Sequence, residues 1–80
     1  MAGPRRAGFI EVEGLAINGL LKIARLDECD KPQGWLKLVV ESLDGEVLET
    51  PCAEPEAARR FLAVINSYLN RWGGLATEDL

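Results

Sequence analysis

The chain contains no histidine, only two cysteines and one methionine, and just 6% aromatic residues. Without imidazole there is no Ser-His-Asp or Cys-His relay, no histidine general base and no histidine-bound metal. Two cysteines alone cannot complete a tetrahedral N/S metal site. Positive charge is also the minority: 9 Lys+Arg stand against 13 Asp+Glu, a net charge of -4. The overall field therefore repels nucleic acid and anionic membrane surfaces. No apolar run approaches the ~20 residues of a membrane-spanning helix. The opening MAGPRRAG lacks the apolar stretch of a secretory signal. Together these features lead to the expectation of a cytoplasmic protein with no metal or cofactor, and of Cys29 and Cys52 as free intracellular thiols rather than a disulfide.

What is present is an 80-residue chain, 48% apolar and 28% charged, which makes one small domain. Residues 1–8 and 73–80 read as flexible tails around a domain at 9–72. At this size a hydrophobic core is commonly supplemented by disulfides, metal or self-association. Residues 54–72 (EPEAARRFLAVINSYLNRW) carry the clearest pattern. Pro55 suits a first helical turn, Glu54 and Glu56 complement the positive end of the macrodipole, and Gly73-Gly74 supplies a stop. Apolar residues at Ala57/Ala58, Phe61/Leu62, Val64/Ile65, Tyr68/Leu69 and Trp72 give a broad amphipathic face.

Residues 35–50 read as a β-hairpin turning at Asp44-Gly45, with Leu43 opposite Glu46 and Ser42 opposite Val47. That register puts Leu36, Leu38, Val40 and Val47 on one face and Trp35, Val39, Leu43 and Leu48 on the other. Residues 9–28 read as two further strands around Asn18-Gly19, with a bulge at Gly14 to bring the apolar residues into phase. The rival reading is a helix over 15–28. The expected fold is α+β, an antiparallel meander of about four strands with one C-terminal amphipathic helix packed on one sheet face. One helix covers one face, so the second apolar face predicts an interface, with Trp35, Val39, Leu43, Leu48 and Trp72 as its residues and a homodimer or higher oligomer as the product.

No catalytic constellation emerges. Glu11 and Glu13 would share one face of a strand, and Asp27, Glu28 and Asp30 lack calcium-loop spacing. Cys52, just ahead of a helix, is the candidate for a thiol-dependent enzyme or redox protein, although Glu54 and Glu56 oppose a thiolate there. Arg59, Arg60 and Arg71 with Trp35 are the candidates for a nucleic-acid-binding module.

The stretch LAINGLLKIARL, followed by WLKLVVESLDGEVLE and an amphipathic helix, resembles the short bacterial flagellar proteins of the FlbD and SwrD type. The likeness rests on Ile17, Asn18, Leu21, Ile23, Asp44, Gly45 and Val47 and spans roughly residues 15–65. It implies a meander-plus-helix fold and a non-enzymatic accessory role, and transfers no functional residue. The expected function is that of a non-catalytic, self-associating domain acting through protein–protein contacts.

Overall fold

The computed structural model describes residues 4–71. Its elements are β1 (Arg5–Arg6), α1 (Phe9–Ile17), β2 (Leu21–Glu28), β3 (Leu36–Ser42), β4 (Val47–Glu49) and α2 (Pro55–Arg71). The four strands form one sheet in the order β1-β4-β3-β2. The fold is α+β and ends on the expected amphipathic helix, with β2, β3 and β4 as an antiparallel meander. Two features differ from expectation: β1 runs parallel to β4, which makes the sheet mixed, and a second helix precedes β2. Among the described residues no helix is long and apolar enough to cross a membrane.

Residues 9–17 are neither a strand nor part of a helix over 15–28; they form α1. Asn18-Gly19 ends this helix instead of turning a hairpin. Gly19 takes φ 71°, its N–H donates to Ala16 O at 3.1 Å, and the Leu20 N–H donates to Leu15 O at 2.8 Å. That pair of bonds is the Schellman stop, which needs positive φ at the same position as a hairpin turn does. The Asn18 side chain adds a bond from Nδ2 to Gly14 O at 2.8 Å. Gly14 is helical, and the sheet irregularity lies between Leu21 and Ile23.

In α2 the buried stripe is Ala58, Leu62, Ile65 and Leu69, at i, i+4, i+7 and i+11. It packs with Val12 and Ala16 of α1 and with Leu21, Ala24, Leu38, Val40 and Leu48 of the sheet in one core. The flank of α2 that is surplus to a single sheet contact meets α1. Phe61 packs edge-on against Phe9 with centroids 5.0 Å apart, and the Tyr68 hydroxyl donates to Glu13 Oε2 at 3.4 Å.

The hairpin exists, but its register is one residue away from the expected one. Glu41 pairs with Val47, Val40 with Leu48 and Val39 with Glu49. The Gly45 N–H donates to Ser42 O at 3.0 Å and Gly45 takes φ 92°, while the Ser42 N–H donates to Glu46 O at 2.8 Å. This is a three-residue loop, a turn followed by a left-handed glycine, in place of the expected two-residue turn. A one-residue slip exchanges faces: Leu48 enters the core and Val47 faces outward, 38% exposed.

The expected N-terminal tail is partly structured. Arg5 pairs with Leu48 and Arg6 with Glu49, and the Ala7 N–H donates to Glu49 O at 2.7 Å, which brings Ala7 into the core. The cysteines are not free thiols, since Cys29 and Cys52 are joined by a disulfide. The bond links the residue after β2 to the segment that leads into α2.

Candidate functional site

The sheet face away from the helices is not the apolar surface expected. Strand alternation puts Ile23, Arg25 and Asp27 of β2, Lys37, Val39 and Glu41 of β3, and Val47 and Glu49 of β4 on it. Val39 is buried, with Arg25 and Glu49 as its cross-strand neighbours, and Lys37 Nζ forms an ion pair with Glu49 Oε2 at 3.1 Å. Of the five residues expected to form an interface, Leu48 lies in the core and Val39 is covered by its own chain. Trp35 is half-buried at the start of β3, and its N–H donates to Pro32 O at 3.2 Å. Leu43 is 56% exposed in the hairpin loop, beside a hollow of about 180 Å³ that it shares with Leu15 and Leu20. Trp72 lies outside the described residues. The second apolar face therefore dissolves, because the register slip removes Leu48 and long charged side chains flank Val39.

The larger concavity, about 580 Å³, lies between α2 and the far end of β2. Leu26, Leu36, Leu62 and Ala63 give it apolar walls, and Asp27, Glu28, Arg59 and Asn66 supply polar groups. Asn66 Oδ1 is buried, with no hydrogen-bond donor among the described residues. Arg59 and Glu28 bring opposite charges to its lining, so the site is not a cation or anion trap of one sign.

Beside the cleft runs the outer edge of β2. In an antiparallel pair, alternate residues direct their backbone groups toward the partner strand. The Cys29 N–H donates to Trp35 O at 2.9 Å, so Cys29 points inward to β3. By the same alternation Ile23, Arg25 and Asp27 point inward, whereas Ala24, Leu26 and Glu28 direct N–H and C=O away from the sheet. Among the described residues no strand pairs with that edge. The Glu28 N–H is held by the carboxylate of its neighbour, Asp27 Oδ1, at 3.0 Å. The opposite edge is different in kind: β1 is two residues long and both are arginines, the short, charged form that resists pairing.

The remaining sequence candidates are dispersed. Arg59 lines the cleft, Arg60 is in an exposed i,i+4 ion pair with Glu56 at 3.7 Å, and Arg71 is exposed at the end of α2, roughly 18 Å along the helix from Arg59. Leu36 lines the cleft under α2, so alternation carries Trp35 to the other face, away from the arginines. The basic strip and the stacking platform thus do not share a surface. Glu11 and Glu13 lie on a helix rather than a strand, which turns them away from each other. The disulfide removes Cys52 as a free nucleophile.

The β2 edge and the cleft escape the sequence reading because a strand over residues 9–17 would cover β2. A signal is present in Phe9, Val12, Glu13 and Ala16, which share one helical face. No family model, curated protein or solved structure matches this chain.

Proposed function

We propose that the chain is a non-catalytic, self-associating domain that acts through protein–protein contacts, and that β2 is the strand it offers. One observation carries this reading: an eight-residue edge strand with outward backbone groups at Ala24, Leu26 and Glu28, bordered by a partly apolar cleft. Unpaired N–H and C=O groups in a row are a template for another strand, and a neighbouring groove accommodates side chains from the incoming chain. The association expected from the sequence is retained on new ground, with the site moved from the outer sheet face to the sheet edge.

Glu28→Pro tests the assignment. Its side chain is exposed and its N–H points away from β3, so proline removes an edge donor without breaking the ladder inside the sheet. Sedimentation at micromolar concentration is expected to show the unaltered chain as an oligomer and Glu28→Pro as a folded monomer. An oligomer undiminished in Glu28→Pro would move the contact away from β2.

A further inference from the structure

The partner strand at the β2 edge has a definite chemistry. Resting on the proposed self-association, we infer that β2 pairs antiparallel with β2 of a second copy across a two-fold axis at Leu26, so that Arg25 of each chain lies opposite Asp27 of the other.

The charge order of the strand, LKIARLDE, selects this register. A symmetric antiparallel pair can slide, and each position of the axis sets different residues opposite one another. With the axis at Arg25, that arginine faces its own copy. With the axis at Asp27, two carboxylates face each other. With the axis at Leu26, Arg25 meets Asp27 twice, once on each side of the axis. Opposite charges directly across a strand pair are favourable, and like charges are unfavourable. An axis at Ala24 drives the pairing into the irregularity between Leu21 and Ile23, and one at Glu28 drives it into the loop after the strand. One register survives.

Backbone geometry agrees with it. Ala24, Leu26 and Glu28 are the outward residues, and the axis at Leu26 sets Leu26 opposite Leu26 and Ala24 opposite Glu28. All three are hydrogen-bonding positions. The Glu28 N–H leaves Asp27 Oδ1, which holds it at 3.0 Å in the single chain, and donates to the Ala24 carbonyl of the second copy. Asp27 is then released to face Arg25 of that copy. Among the described residues neither Arg25 nor Asp27 takes part in an ion pair within its own chain. On the outer face the cross-strand row becomes Glu49, Val39, Arg25, then Asp27 and Lys37 of the second copy, with charges alternating across the junction. On the helix face Leu26, a wall of each cleft, meets its counterpart, so the two clefts join over the axis.

Charge reversal tests the register. Arg25→Asp sets two carboxylates against each other at both junction pairs, and Asp27→Arg sets two guanidinium groups there. The double variant Arg25→Asp/Asp27→Arg restores both pairs in mirrored order. Each single change alters two pairs by symmetry. It is expected to raise the dimer dissociation constant about tenfold or more, and the double variant to return it to within about threefold of the original. Recovery in the double variant also shows that the singles failed by charge and not by misfolding. Association that ignores the single reversals while Glu28→Pro still abolishes it would overturn the register and leave the β2-edge reading standing. A monomer in the unaltered chain at tens of micromolar would overturn both.

Discussion

Asp44 lies at the tip of the hairpin, exposed to water, yet its carboxyl is held below its ordinary value of 3.8. The largest cause is the Ser42 hydroxyl, which donates to it, and the next is the Glu46 N–H, 3.2 Å from Asp44 Oδ1. A carboxyl whose folded pKa is depressed adds stability that is complete above its unfolded pKa and is lost as pH falls through the folded one. The hairpin loop is therefore expected to loosen only below about pH 3.8, as Asp44 takes up its proton. Ser42→Ala removes the largest cause, so an NMR titration is expected to find the Asp44 carboxyl moved up toward 3.8. An unmoved titration would show that the hydroxyl does not hold the carboxylate. The two glycines at such turns show how far single residues can be read. Gly19 and Gly45 both adopt positive φ, as Asn-Gly and Asp-Gly imply, but the dipeptide does not specify what flanks it. One ends a helix and the other closes a three-residue loop, and that difference moves both a whole element and a strand register.

Among the elements, α2 is legible almost to the residue at its start, Pro55 against an expected 54, and is helical through Arg71, the last described residue, because it combines a start signal with a long period. The central hairpin is legible as a unit but not in register, since the slip depends on loop geometry that Asp-Gly leaves open. α1 is not legible as a helix. It is nine residues long, Gly8 caps it without a side-chain bond, and Ile10, 87% exposed, blurs its apolar face. Its stability comes from packing on α2 rather than from intrinsic propensity, as for most short helices. Gly14 separates the two readings of this segment. A Cβ there would meet nothing within 4 Å, and the residue is helical, so Gly14→Ala is expected to stabilise the fold by about 1 kcal/mol. At a strand bulge the same change would destabilise it. Urea unfolding of the variant decides between them: a lowered midpoint would be incompatible with α1. Because α1 lies against α2 and not along the sheet, β2 is left as an edge, and the candidate site follows from that single assignment.

At the scale of the whole molecule, the high apolar content taken alone points to a second copy covering a second sheet face. The structure distributes it differently: α1 takes up the broad flank of α2, Leu48 joins the core, and the outer face is largely charged. What supplements this small core within the chain is the Cys29–Cys52 bond, which spans a sequence separation of 23 and fastens the end of β2 near the start of α2. A loop of that length, closed covalently, restricts the unfolded chain by roughly 3 kcal/mol in the chain-entropy description. The expectation of a cytoplasmic protein rests on the lack of a signal-like or membrane-length apolar run, and in reducing surroundings the domain would forgo this term. Cys29→Ser/Cys52→Ser is expected to lower the unfolding free energy by roughly 3 kcal/mol and to steepen the urea dependence, because the unlinked chain exposes more surface when it unfolds. Thiol reductant added to the unaltered protein should shift its midpoint to that of the double variant, and should leave the variant itself unmoved. If reductant left the unaltered protein at its original midpoint while mass spectrometry showed the bond open, the cross-link would contribute nothing to stability, and burial by the two helices alone would have to hold an 80-residue chain together.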